Sequence, residues 1–338
     1  MGNFASEVLS QCAFHFPQTW DGVAVLPLVR GAAKSVPPFV SLKDALEAET
    51  LEIQEKKRGG PSVNEVEARN LGDLPVLIIE GEEFLGAWQN RVANVTVLLA
   101  PKKKINLPVC CVERGRWHSV ASGKESTRFK NSEYVAPKQV RDRLSKSVLN
   151  KLAFGEDFAA DQRGVWSEVE FFLAKRNVDA PTRAVQEGLK YWERKLADWH
   201  SALSCHPDQV GFMLFHKGES QGLEFVAQPD IYRQLHRKIL FSYLVDLPDS
   251  DRKSRKRSPL PTFQRMDALL KSIGEAEESR HKSLGLGEDY RYQNGNLIGS
   301  MLVYEDACVY ASFRVTDVQK NEQKNQEVYL YPPDEPFR

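Results

Sequence analysis

The chain has 338 residues, 41% of them hydrophobic and 27% charged, the balance of a soluble globular protein with room for two domains. Lys and Arg number 46, and Asp and Glu also number 46, so the formal charge is zero. That neutrality excludes a general polyanion binder, whose affinity for phosphate backbones comes from a surplus of basic residues.

No apolar run approaches the roughly 18 to 20 residues that cross a bilayer. The amino-terminal residues lack the basic-then-apolar pattern of a secretory signal. MGNFAS carries the Gly2 and Ser6 of a myristoylation pattern, a signal too short to be specific. The five cysteines (Cys12, Cys110, Cys111, Cys205, Cys308) are odd in number and form no CxxC, so reduced thiols in a cytoplasmic protein are expected.

The first third of the chain reads as short strands, namely GVAVLPLVR, LEIQEK, NEVEARN, LPVLIIE, RVANVTVLLA and INLPVCCVE. RGGPS, NLGD and APKKK punctuate them as turns. SLKDALEAE alone reads as a helix here, capped by Ser41. Closely spaced strands without intervening helices pair antiparallel, which predicts a β-sandwich-like domain, or a barrel, over residues 1–128.

Residues 129–338 read as a mixed α+β domain, giving an α+β class for the whole. PKQVRDRLSKSVLNKL places Val140, Leu144 and Val148 four apart on one helical face, and WSEVEFFLAKR is a second helix. DAPTRAVQEGLKYWERKLADWHSAL reads as one long helix. Its apolar stripe runs through Val185, Leu189, Trp192, Leu196, Trp199 and Leu203, with Asp179 as cap and Pro181 in the first turn. QVGFMLFHKGESQGLEFVAQ predicts a hairpin turning around Gly218 to Gly222. PDIYRQLHRKILFSYLVDL predicts a helix capped by Asp230, and IGSMLVYEDACVYASFRV a hairpin turning at Glu305 and Asp306. SDRKSRKRSPLP between them reads as an exposed basic loop.

Period-two alternation puts Val76, Ile78 and Glu80 on one strand face with Glu82 beyond, and Val109, Cys111 and Glu113 on another. A carboxylate following core residues needs a partner, and Arg91, Arg114 and Arg116 are the nearby cations. Arginine's planar fork suits either carboxylate or phosphate. Two readings stand. In one, Glu80 and Glu113 pair with Arg91 and Arg116 to brace loops. In the other, Gln89, Asn90 and Arg91 offer donors to a ligand while a glutamate acts as acceptor or general base. The carboxylates with His118 lack any specific metal-ligand spacing, so no metal is assigned. Cys111, between strand valines, reads as a small buried hydrophobe more readily than as a nucleophile. Trp88 and Trp117 read as rim aromatics that could also stack on a base.

The span from Pro75 to Trp117 resembles the domain family named for its association with ADP-ribosylglycohydrolases and rhodanese-phosphatase proteins. Two motifs carry the resemblance: Gly81, Glu82, Gly86, Gln89, Asn90 and Arg91 in GE-x-x-x-G-x-x-QNR, and Pro108, Val109, Cys111, Val112, Glu113, Gly115, Arg116 and Trp117 in PVSCVE-x-GRW. Cys110 stands where that pattern usually has serine, and Ala87-Trp88 where smaller or basic residues are common. VSLKDALEAETLEIQE and VGFMLFHKGESQGLEFVAQPDIYRQLHRKILFSYLVD extend the resemblance over most of the chain.

What the resemblance implies is a site, not a reaction. The expected ligand is nucleotide-like or ADP-ribosylated, in a bacterial conflict or repair setting, with no cofactor specified. Glu82 and Glu113 are the candidate general bases. Arg91 and Arg116 would hold phosphate, and Glu80, Gln89, Asn90 and Trp117 would line the site. The alternatives are an interaction or scaffold protein whose Glu–Arg cluster is structural, and a nucleic-acid accessory protein using Lys102, Lys103 and Lys104 with Arg252, Arg255 and Arg257.

Overall fold

The computed structural model describes residues 2–31, 36–56, 62–118, 127–196, 198–247 and 260–316. Arg252, Arg255 and Arg257 lie outside them. The described residues begin with α1 (Phe4–Ser10), β1 (Cys12–Phe14), β2 (Gln18–Trp20) and β3 (Val23–Arg30). Next come β4 (Val40–Ser41), α2 (Leu42–Glu47), β5 (Leu51–Gln54), β6 (Glu65–Asn70), β7 (Val76–Ile78) and β8 (Glu82–Gly86). β9 (Arg91–Ala93), β10 (Val97–Leu99), β11 (Lys104–Cys111) and β12 (Phe129–Val135) follow. The helices α3 (Lys138–Ala153), α4 (Gln162–Ala174), α5 (Val185–Lys195) and α6 (Trp199–Ala202) precede a hairpin of β13 (Gln209–His216) and β14 (Glu219–Val226). The last elements are α7 (Pro229–Leu244), α8 (Phe263–Gly274), β15 (Glu277–Lys282), β16 (Glu288–Asn294), β17 (Leu297–Tyr304) and β18 (Ala307–Val315). This is an α+β protein. Among the described residues no helix is long and apolar enough to cross a membrane.

Strands β12, β8, β9, β11, β6 and β5 form one antiparallel sheet in that order. The sheet curls until its edges meet: Gln54 bridges Arg128, and the Glu55 N–H donates to the Thr127 carbonyl at 2.8 Å. The strand-rich region is thus barrel-like, the second of the two architectures expected for it. Alternation fills it, with Leu51 and Ile53, Val66 and Ala68, and Leu107 and Val109 all in one core with Phe84 and Phe129. A smaller sheet, β10-β7-β4, packs beside it.

The second large sheet has nine strands, with β1 and β2 both on β3, then β13, β14, β18, β17, β16 and β15. Its interior strand β3 pairs with β13, Val25 opposite Leu214. Hydrogen bonding therefore runs across position 128, because an amino-terminal strand completes a carboxy-terminal sheet. Both faces are covered. Phe212 and Leu214 join a core with α3, α5 and α7, while Met213 and Phe215 join another with α1 and α8.

Local expectations met geometry in particular ways. Ser41 caps α2 by accepting from the Asp44 N–H, and Glu305 and Asp306 make the β17–β18 turn with φ of 51° and 57°. The long helix expected from Asp179 instead starts at Val185. It breaks at Leu196, and Asp198 takes φ 69° before a short second helix. The stripe from Val185 to Leu203 is nevertheless all buried, since the break keeps those side chains on the core. The β13–β14 turn is only Lys217 and Gly218, leaving Gly222 inside β14. Pro229 opens α7, Gln228 occupies the cap position, and Asp230 sits in the first turn.

Candidate functional site

The loop from Gly86 to Arg91 joins β8 to β9 through two residues of positive φ, Gly86 at 113° and Ala87 at 43°. Such a turn needs outside support, because a non-glycine residue rarely adopts it. Arg116 supplies that support. Its Nη1 donates to the carbonyls of Ala87 at 2.9 Å and His118 at 3.1 Å. Its Nη2 reaches the Gly86 carbonyl at 3.3 Å, Asn90 Oδ1 at 3.2 Å and Glu113 Oε2 at 2.6 Å. Glu113 Oε2 also accepts from the Asn90 N–H at 3.1 Å, and Oε1 accepts from the Thr182 hydroxyl at 2.9 Å. Gln89 donates to the Glu113 carbonyl at 3.2 Å, and Asn90 Oδ1 takes the Gly86 N–H at 3.1 Å. Gly115 is glycine for a steric reason, since a Cβ there would lie 2.9 Å from the Thr182 carbonyl oxygen. Both nitrogens at the guanidinium tip and both carboxylate oxygens of this pair are engaged with the protein itself.

Arg91 is differently placed. Its Nη1 donates to Gln89 Oε1 at 2.7 Å, and its Nη2 to the Ser62 carbonyl at 3.4 Å. Its Nε has no hydrogen-bond partner although the residue is fully buried. Its guanidinium carbon lies 5.8 Å from the centre of the Trp117 ring, which in turn sits 5.6 Å from Trp88. Beside it stands Glu55, just past the end of β5, whose Oε1 is 3.8 Å from Arg91 Nη2. Glu55 is 2% exposed, yet neither carboxylate oxygen accepts a well-formed hydrogen bond. Burial raises its pKa, opposed by the Arg91 charge and the neighbouring Trp88 amide. Trp117 is 38% exposed, so this cluster reaches the surface.

One comparison bears on these two segments. A family model for the ARG and Rhodanese-Phosphatase-superfamily-associated Protein domain matches residues 11–314. The chain belongs to that family. No curated protein and no solved structure matches it significantly. The match runs through both large sheets, so the family domain includes the carboxy-terminal strands as well as the QNR and ERGRW segments.

The other expected site carboxylates, Glu82 of the family motif and Glu80 just before it, hydrogen-bond to partners other than the Glu113–Arg116 pair. Glu82 accepts the Ile79 N–H at 3.2 Å and faces Lys238 at 3.4 Å, with Lys238 also donating to Asn131. Burial raises its pKa, against the pull of Lys238. Glu80 lies in a separate buried network. It receives the Ser145 hydroxyl at 2.5 Å and Arg314 Nη2 at 2.6 Å, with Arg291 3.8 Å away. Gly81 between them has φ 82°, and a Cβ there would meet Arg141 Cγ at 2.7 Å. That glycine lets the turn lie on the Arg141 side chain.

Sequence reasoning passed over two acids. Glu55 gave no signal beyond a polar residue after a strand. Glu83, the second residue of the Glu82–Glu83 pair, is fully buried; the Ser132 hydroxyl donates to its Oε2 at 2.6 Å and Oε1 has no partner. Burial first, and then the Glu113 charge, push it up to about 7 despite the Ser132 hydrogen bond.

Cys111 is bracketed by Gln162, whose side-chain amide accepts from the Cys111 N–H at 2.7 Å and donates to its carbonyl at 2.9 Å. Burial raises the thiol pKa, which favours the protonated thiol over the thiolate. Among the described residues no group of His, Cys, Asp and Glu has metal-binding geometry. Lys102 pairs with Asp73 at 2.9 Å and Lys104 with Glu67 at 2.8 Å.

Proposed function

We propose that this protein binds a planar, nucleotide-like ligand at the Glu55, Arg91, Trp88 and Trp117 cluster, and that Glu113 and Arg116 brace the site without performing chemistry. The observation that carries this is Glu55, a buried carboxylate with no well-formed hydrogen bond at either oxygen, beside an arginine whose Nε is also unmatched. Buried polar groups are nearly always satisfied, so a pair left open in this way points to a ligand that completes it. The exposed part of Trp117 and the adjoining Trp88 offer ring faces for stacking.

The full engagement of Glu113 and Arg116 argues against a general base and a phosphate clamp at those two positions. A base must present a free oxygen to the reacting proton, and Glu113 has both engaged. The five cysteines are all free thiols, which supports a reducing cytoplasmic setting. Calorimetric titration with AMP, GMP and ADP-ribose tests the reading. Binding of at least one nucleotide, weakened in Trp117→Ala but not in a distant surface variant, is the expected result. Well-folded protein that binds none of the three overturns it.

The scaffold reading retains one specific support, the same full engagement of Arg116. It predicts that substitutions in the clamp change stability alone.

A further inference from the structure

The nine-stranded sheet ends differently at its two sides. On one side the edge is broken, because β1 and β2 both lie on β3 as three-residue pieces with Pro17 between them. On the other side β15 runs unbroken for six residues, EESRHK, without proline or glycine. Among the described residues no strand pairs with its outer edge. Its register with β16 places Lys282 opposite Glu288, and the Ser283 N–H donates to the Gly287 carbonyl one step further on. In an antiparallel ladder such bonds fall on alternate residues, so Glu277, Ser279 and His281 bond to β16. The backbone N–H and C=O groups of Glu278, Arg280 and Lys282 therefore point outward. An open row of this kind is a template for another strand.

We propose that this edge pairs with itself, β15 against β15 of a second copy, antiparallel about a two-fold axis at Ser279. An axis normal to the sheet keeps each residue on its own face, so an even-numbered residue can only face an even-numbered one. Centring the axis on Glu278 would set Glu278 against its own copy, and centring it on Arg280 would do the same for Arg280. Like charges directly opposite are destabilising. Centring it on Ser279 sets Glu278 of one copy against Arg280 of the other, and Glu277 against His281. The outward backbone groups of Glu278 and Arg280 then meet, exchanging two hydrogen bonds in each pair.

The charged side chains are already held in place for this pairing. Glu278 Oε1 takes Arg280 Nε at 2.9 Å, and its Oε2 accepts the Phe4 N–H at 3.0 Å. The Arg280 guanidinium carbon lies 4.5 Å from the centre of the Tyr290 ring. In the dimer both glutamates and both arginines alternate in sign around the axis. A run of lysines, a common guard on an exposed edge, would repel its own copy. This strand carries both signs instead, in the order self-pairing needs.

Sedimentation velocity on the full chain over a concentration series, with wild type and Arg280→Glu, tests the pairing. Wild type should pass from monomer to dimer as concentration rises. Arg280→Glu puts an acid opposite Glu278 of the other copy and should raise the dissociation constant roughly tenfold or more. A second variant reads the register. Ser279 faces Ser279 as a non-hydrogen-bonded pair, where Cα atoms approach to about 4.5 Å, within reach of a disulfide. Under diamide, Ser279→Cys should give a covalent dimer that a reducing agent reverses. Glu277→Cys, which faces His281, should crosslink no more than wild type with its own five cysteines. Wild type that stays monomeric at every concentration leaves the edge to a strand of another protein and overturns the self-pairing. So does a dimer that Arg280→Glu fails to weaken, or one in which Ser279→Cys crosslinks no better than Glu277→Cys.

Discussion

Arg314, on the last described strand, donates from Nη2 to Glu80 Oε1 at 2.6 Å across 234 positions of sequence. The pair is fully buried where the turn before β8 meets the nine-stranded sheet. Around it, Arg314 Nε holds Asp142 at 2.8 Å, Arg141 holds Glu224 at 2.9 Å, and Tyr243, Tyr310 and Ser312 all donate to Glu224. On the sheet face the row is set by register, Arg291 opposite Ser300, Ser300 opposite Ser312, and Ser312 opposite Glu224. Burial works against the Arg314 charge, and Glu80 and Asp142 overcome it.

Breaking this network by removing one partner should be costly, because the other charge stays buried. Arg314→Met is expected to destabilise the protein by about 3–5 kcal/mol in urea unfolding, with Glu80→Gln milder. A change under about 1 kcal/mol for Arg314→Met would mean that the network is solvated in solution.

The Glu113–Arg116 clamp predicts a separation of stability from binding. Arg116→Ala leaves Glu113 and three carbonyls short of a donor and should cost on the order of 3 kcal/mol. Arg116→Lys cannot reproduce the fork and should recover only part of the loss. Denaturant midpoints of the three proteins measure this directly. Full stability in Arg116→Ala would remove the bracing role.

Glu83 gives the molecule a pH dependence of definite sign. Its folded pKa is pushed up from 4.5 to about 7, chiefly by burial, so the folded state holds the proton more tightly than the unfolded one. Stability from this group is complete below about pH 4.5 and declines as pH rises toward 7, by a total on the order of 3 kcal/mol. Asp246, buried and raised to about 6, adds a decline of the same sign over about pH 4 to 6. Glu83→Gln should flatten the upper part of the curve in thermal melts taken from pH 4 to 8. An unaltered slope in that variant would show that other groups set it.

Gly81 should tolerate no side chain. At φ 82°, alanine is strained, and its Cβ would press on Arg141 at 2.7 Å. Gly81→Ala is expected to cost about 2 kcal/mol or more in chemical unfolding, whereas alanine at Gly218, whose surroundings are open, should cost only the backbone strain of about 1 kcal/mol.

The sequence by itself determined much of the local structure. The period-two runs became strands, the four-residue spacing of Val140, Leu144 and Val148 became the buried face of α3, and Glu113 and Arg116 did meet each other and the QNR segment. The strands, the α3 face and the Glu113–Arg116 pair are outcomes of short range, set by side-chain periodicity and by three or four residues of separation, so a linear reading reaches them; the meeting with Asn90, 26 residues from Arg116, was indicated by the family motifs. Grouping Glu80 and Glu82 with Glu113 did not survive, since alternation gives a face but not the element opposite it. What faces Glu80 is Arg314, and no periodicity links residues so distant. The same reason hid Glu55: an isolated acid after a strand acquires meaning only when the barrel closes through Gln54 and Arg128 and sets it against Arg91. Tertiary structure alone decided which charges were satisfied, because that depends on the three-dimensional count of donors and acceptors around each one. By that count Glu113 and Arg116 are closed within the protein, and Glu55 lacks a well-formed hydrogen bond.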